Sequence, residues 1–281
     1  MSLTEAPNQD QAALWNEASG RTWVELQAVL DRMLQPFADH LIAEAFPGEG
    51  GWVLDIGCGA GATTLEMARR VGPKGLCLGV DISAPLIAAA KARAEAEGLE
   101  AAGFVEADAQ GYRFDPGAFD AVISRFGVMF FDDPEAAFAN IRRGVRKDGA
   151  LTFIAWRSPR ENPLVVAVGQ AAGPLLPAIA PPDPNAPGQF AFADAARVRR
   201  ILEAGGWRDV EVAPLDMSST VPEADLMAYV TKLGPAGAAL RTADAALRAR
   251  VTEALASAIR PFIEDGVARF TSACWLVTAR A

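Results

Sequence analysis

The chain of 281 residues contains one histidine, three cysteines and two tyrosines. His40 stands alone, and Cys58, Cys77 and Cys274 are far apart. No familiar zinc spacing can be assembled from such a set, so no metal is expected. Cysteines used this way also fit a reducing compartment. Basic residues are outnumbered, 26 Lys and Arg against 35 Asp and Glu, for a net charge of −9. Nucleic-acid binding wants a basic face, so no such partner is expected. No apolar run approaches the roughly 20 residues needed to cross a bilayer. Residues 1–10 are polar and acidic, unlike a signal peptide. The expectation is a soluble, cytoplasmic protein with no membrane partner, and the sequence leaves its oligomeric state unread.

Apolar residues, by contrast, make up 51% of the chain, ample for a core at this length. Between residues 11 and 46, Leu14, Trp15, Trp23, Leu26, Leu30, Leu34 and Leu41 recur near helical spacing. They predict an N-terminal helical extension, residues 1–48, ahead of the main domain, 49–281. Strand and helix patterns then alternate. Strands are predicted at 52–56, 75–80, 104–106, 119–124 and 150–155, with helices at about 61–71, 83–97 and 134–145. Such alternation implies right-handed crossovers and a parallel sheet covered on both faces. Pro181-Pro182-Asp183-Pro184 predicts an irregular loop. A helix at 194–204, stopped by Gly205-Gly206, a strand at 209–212, an alanine-rich helical region at 223–263 and a last strand at 270–279 complete the pattern.

The densest signal lies at Asp55-Ile56-Gly57-Cys58-Gly59-Ala60-Gly61, where an apolar strand runs into alternate glycines and then a helix. Such a turn brings bare backbone N–H groups and a helix N-terminus up to a ligand. Gly57-x-Gly59-x-x-Ala62 also satisfies the looser dinucleotide pattern. Asp55 argues for a different ligand. An acid inside a buried strand is costly without a role; it would repel a pyrophosphate and attract a cationic amino-acid group.

The pattern Asp-x-Gly-x-Gly-x-Gly resembles the first motif of class I S-adenosylmethionine-dependent methyltransferases. The stretch from Ser124 through Arg125-Phe126-Gly127-Val128-Met129-Phe130 is similar to the matching segment of the ubiquinone/menaquinone-biosynthesis group of that family. The resemblance implies a Rossmann-like, mostly parallel seven-stranded sheet of order 3-2-1-4-5-7-6 with its last strand antiparallel. Helical cap material would be inserted at about 158–190 and 214–265.

It also implies S-adenosyl-L-methionine as cofactor. Asp55, Gly57, Cys58 and Gly59 would lie at its amino-acid end, and Asp81 at its ribose. Ile82 would pack on the adenine, with Asp108 and Ala109 at the ring's polar edge. Ser124 and Arg125 would contact the methionine part, and Trp23 would fold over the cofactor from the N-terminal helices, as Trp15 could. A wall of Phe126, Met129 and Phe130 would face a small, apolar or aromatic acceptor, methylated by in-line displacement. For Trp15, Trp23 and the strand-four aromatics, plain core packing is the rival reading. No general base is evident, since His40 precedes the first strand and Tyr112 and Tyr229 have no clear partners. Two rival functions stand beside this one: a nicotinamide-dependent oxidoreductase, and a module that binds the cofactor without turnover.

Overall fold

The computed structural model describes residues 8–176 and 183–281. Residues 1–7 and 177–182, the latter holding part of the predicted proline loop, lie outside the described residues. The N-terminal extension forms three helices, α1 (Gln9–Asn16), α2 (Ala18–Glu25) and α3 (Gln27–Ala45). The continuous periodicity of the sequence is interrupted at Glu17 and Leu26, which leave helical geometry. Gly20 permits the fold between α1 and α2: a Cβ there would come within 1.9 Å of the Trp15 carbonyl oxygen. Along α3, Leu30, Leu34, Phe37, Leu41 and Ile42 form the buried stripe that the spacing predicts.

The alternating region supplies β1 (Trp52–Ile56), α4 (Ala62–Val71), β2 (Leu76–Asp81), α5 (Ala84–Glu97), β3 (Ala102–Glu106), β4 (Phe119–Arg125), α6 (Pro134–Arg143) and β5 (Val145–Trp156). These five strands pair in parallel. Then come α7 (Pro163–Ala172), α8 (Ala195–Ala204), β6 (Arg208–Pro222), α9 (Glu223–Lys232), α10 (Gly234–Thr242), α11 (Ala245–Ile259), β7 (Ile263–Glu264) and β8 (Val267–Arg280). The sheet order is β3-β2-β1-β4-β5-β8-β6, with the two-residue β7 paired only to β8. With β7 set aside, this is the predicted topology. β8 takes the seventh place and runs antiparallel to both neighbours.

β6 differs from expectation. It continues to Pro222, in register with β8 as far as Val267, so residues 214–222 are strand and not cap. Pro214 and Pro222 are tolerated because β6 lies at the edge of the sheet, where one side of the ladder needs no donor. Two apolar cores cover the sheet faces. One gathers α3, α4, α9 and α11; the other gathers α6 and α8. The C-terminal ends of β1, β2 and β4 converge beneath α1–α3, and there the cavity opens.

Candidate active site

A cavity of about 900 Å³ occupies this end of the sheet. Its floor is the turn between β1 and α4. The Gly57 and Cys58 N–H groups both donate to the Val80 carbonyl, at 2.8 and 3.2 Å, which hangs the turn on β2. Gly57, Gly59 and Gly61 all have positive φ, the region glycine occupies without strain. Their surroundings differ. A Cβ on Gly57 would approach the Gly127 Cα to 2.5 Å, and one on Gly61 would meet Ala90 and Phe104 at 3.0 Å. At Gly59 only the Trp23 indole nitrogen is near, at 4.0 Å. Gly57 and Gly61 therefore serve close packing, whereas Gly59 faces open space under the Trp23 ring.

Asp55 is fully buried and lies behind the turn, outside the cavity lining. Its Oδ2 accepts the Thr63 and Thr64 hydroxyls of α4 at 2.6 and 2.7 Å, while Oδ1 is buried without a partner. Burial raises its pKa to about 6; the two hydroxyls and the Arg125 charge oppose that rise. Ser124 is likewise placed behind the wall. Its Oγ donates to the Ile56 carbonyl at 2.7 Å and accepts the Gly127 N–H at 3.1 Å. The sequence reading put both side chains against the cofactor. Here the two side chains hold strand ends and turn together, Asp55 through α4 and Ser124 between the ends of β1 and β4.

The remaining predicted positions, Trp23, Gly57, Cys58, Gly59, Asp81, Ile82, Asp108, Ala109, Arg125, Phe126, Met129 and Phe130, all line the cavity. Asp81 Oδ2 accepts the Gly59 N–H at 2.8 Å and Oδ1 accepts the Ser83 N–H at 2.9 Å. Burial raises its pKa, against the pull of these backbone donors. Each oxygen keeps a lone pair for a further donor. Asp108 Oδ1 accepts the Gln110 N–H at 2.9 Å and the Asn8 amide at 2.8 Å. The Arg125 guanidinium donates to the Leu34 carbonyl at 3.2 Å; burial lowers its pKa and nearby Asp31 and Asp55 support its charge.

Phe126 adopts φ +67°, rare for a bulky residue, at the end of β4. Its ring stacks on Trp156 with centroids 4.8 Å apart and meets Phe37 edge-on. Trp15 packs edge-on between Trp23 and Phe130, at 5.6 and 5.3 Å. Both tryptophans line the cavity, so core packing and cavity lining are combined in the same rings.

Several lining residues escaped the sequence reading. Asn8 is 2% exposed, and its backbone N–H donates to Asp132 at 2.6 Å while its Oδ1 accepts the Asp132 N–H at 2.7 Å. With its contact to Asp108, it ties the start of α1 to the loops that follow β3 and β4. An isolated asparagine near a chain end carries no pattern that could have revealed this. Asp31, Trp156, Phe190 and Tyr229 also line the cavity. Tyr229 is the tyrosine that does so, whereas Tyr112 packs on Phe114 at 5.0 Å. His40 is absent from the lining.

An acid-lined glycine turn at the strand ends, an acid closing β2 and another after β3 suit a nucleoside with a cationic end. Comparison with known proteins agrees. Residues 53–149 match the model of a methyltransferase domain. Nocamycin O-methyltransferase of Saccharothrix syringae is 30% identical over 201 residues, 69% of this chain and 72% of that protein. Demethylmenaquinone methyltransferase of Thermus thermophilus is 37% identical over 107 residues, 38% of this chain and 48% of that one. Among solved structures the cyclase SpnF superposes with a TM-score of 0.61 at 17% identity, covering 98% of this chain and 97% of that one; this likeness concerns the fold. No helix among the described residues is long and apolar enough to cross a membrane. The chain belongs to the class I S-adenosylmethionine-dependent methyltransferases.

Proposed function

We propose that the strand-end half of the cavity seats S-adenosylmethionine and that the half under α7, α9 and α10 receives a small, apolar or aromatic methyl acceptor. When bound, the cofactor supplies an activated methyl carbon whose bond to sulfur breaks as the bond to the acceptor forms. The observation that carries the reading is the pairing of an open Gly59 with the unpartnered buried Oδ1 of Asp55 just beneath the turn. An orphaned carboxylate oxygen there leaves negative potential unanswered, which favours a cationic ammonium above it.

The chain's residues divide the work. Asp81 holds the turn and offers its free lone pairs to ribose hydroxyls, while Asp108 does the same at the adenine edge and Arg125 faces the methionine carboxylate. The Trp23 indole N–H stands over Gly59 and closes the amino-acid end. Asp55 and Ser124 position the turn from behind. On the acceptor side Leu164, Val165, Val168, Leu176, Val230 and Leu233 line an apolar chamber next to Phe126, Met129 and Phe130. Residues 158–176 and 183–190, with 223–265, then act as cap, and the N-terminal helices as lid. Alignment of donor and acceptor and exclusion of water carry the rate, and no general base is assigned. The acidic net charge of −9 supports a small-molecule acceptor over a nucleic acid.

The test is transfer of radiolabelled methyl from the cofactor to a panel of neutral phenols and quinols, read as label extracted into organic solvent. Extractable label supports the reading. Cofactor binding without transfer to any of them would favour the non-catalytic alternative.

A further inference from the structure

The cavity's charge is distributed unevenly. Among the described lining residues the charged side chains are Asp31, Asp81, Asp108 and Arg125. All four belong to α3 or to the strand ends, the half that suits the cofactor. Those drawn from α7, α9, α10 and β8 are uncharged. A buried charge without a counter-charge is strongly disfavoured, so an ammonium, carboxylate or phosphate on the acceptor would find no partner there.

Two polar side chains of this half, Asn162 and Ser219, are committed. The Asn162 amide bonds the Ser158 and Ala273 carbonyls and accepts the Ala273 N–H. The Ser219 hydroxyl donates to the Met33 carbonyl at 2.9 Å. Tyr229, on α9, differs. It lines the cavity, burial raises its phenol pKa, and among the described residues its hydroxyl has no hydrogen-bond partner. Its ring packs into the same apolar cluster as Trp23, Phe126 and Trp156. A neutral phenol fixed by packing, its donor and acceptor unpaired among the described residues, is the kind of group that orients a ligand in an apolar pocket.

We propose that the methyl acceptor is an uncharged molecule bearing a hydroxyl or carbonyl, and that the Tyr229 hydroxyl orients it by a hydrogen bond. This rests on the division of the cavity into cofactor and acceptor halves. Tyr229 is a positioning residue; the reacting atom's own proton is a separate matter.

The test uses the full chain loaded with S-adenosylhomocysteine, whose binding is first confirmed by calorimetry. Failure at that step would strike the cofactor reading and with it the division of the cavity, whereas the probe comparison that follows strikes this proposal alone. Four probes of similar shape are then compared by ligand-observed NMR: 4-ethylphenol, ethylbenzene, tyramine and 4-hydroxyphenylacetate. 4-Ethylphenol is expected to bind at least about tenfold more tightly than the cationic and anionic analogues. Tyr229→Phe should weaken 4-ethylphenol by about fivefold, the worth of one net hydrogen bond, and leave ethylbenzene unchanged. A merely structural role would move both probes together. The proposal is overturned if a charged analogue matches 4-ethylphenol or if 4-ethylphenol does not bind. It is also overturned if Tyr229→Phe leaves both neutral probes unchanged or weakens them equally.

Discussion

Asp81 Oδ2 accepts the backbone N–H of Gly59 at 2.8 Å, so the acid that ends β2 fixes the middle glycine of the turn after β1. One side chain thereby couples two parts of the proposed site, the turn assigned to the cofactor's amino-acid end and the carboxylate assigned to its ribose. A carboxylate with both oxygens already held by backbone donors cannot rotate away. It presents its remaining lone pairs in a set direction, which is the kind of preorganisation that improves binding.

Replacing this acid should therefore affect binding and local order together. Asp81→Ala removes two acceptors, orphans the Gly59 N–H at a cost of about 1–3 kcal/mol, and should weaken S-adenosylhomocysteine at least about a hundredfold. Asp81→Asn keeps one acceptor oxygen and should fall between. Calorimetric titration of both variants checks the order; equal affinities for the wild type and Asp81→Ala would remove the ribose assignment.

The turn's glycines should separate folding from binding. Gly57→Ala sets a Cβ 2.5 Å from the Gly127 Cα in a left-handed conformation, and backbone cannot yield easily. A loss of about 3 kcal/mol or more is expected, on the scale of overpacking plus left-handed strain. Gly59→Ala meets only open space and should cost about 1–2 kcal/mol of stability, yet obstruct the cofactor. Thermal melts and titrations on both variants would distinguish these outcomes, and the idea fails if Gly59→Ala binds normally.

Asp55 makes the protein pH-sensitive in a defined direction. Its pKa of about 6 in the folded chain stands above the 3.8 of an unburied aspartate. The native state thus holds the proton more tightly than the unfolded one, and this group's contribution is fully present below pH 4. It is lost as pH rises from about 4 to about 6, by up to about 3 kcal/mol. Asp55→Asn should flatten that slope and raise the ligand-free melting temperature at pH 8. A bound ammonium favours the ionised carboxylate, so wild-type affinity for the cofactor should drop below about pH 6 while that of Asp55→Asn stays flat. Parallel pH profiles in the two variants would show that Asp55 is not the titrating group.

The latch at Asn8 predicts a kinetic effect. Asn8→Ala removes its side-chain bonds to Asp108 and Asp132 and should release the start of α1 from those loops. Faster hydrogen exchange over residues 9–16 and an S-adenosylhomocysteine off-rate raised by about tenfold are expected, the order of one to two net hydrogen bonds. Unchanged exchange in α1 would mean that packing of Trp15, rather than the latch, holds it.

The parallel half of the fold is legible because β1, β4 and the second half of β5 are short, buried apolar runs, and because glycines and helix starts punctuate the chain between strands. β6 was misread past Val212 because it is an edge strand. Asp216, Ser218 and Thr220 face away from the core, and this polar alternation with two prolines resembles a loop. In the site, Asp81, Asp108 and the glycines were readable since their roles follow from position after a strand. The behaviour of Asp55 was not, because its partners Thr63 and Thr64 are set by how α4 docks on the sheet. Asn8, Asp31, Phe190 and Tyr229 reach the cavity only through tertiary packing of helices and loops that carry no motif.

The most direct measurement is calorimetric titration of the wild-type chain with S-adenosylmethionine, S-adenosylhomocysteine and NADH at pH 7.5. The account predicts saturable one-site binding of the first two, with affinity lowered by Asp81→Ala, and no heat from NADH beyond dilution. Tight NADH binding with no response to either S-adenosyl compound would contradict it.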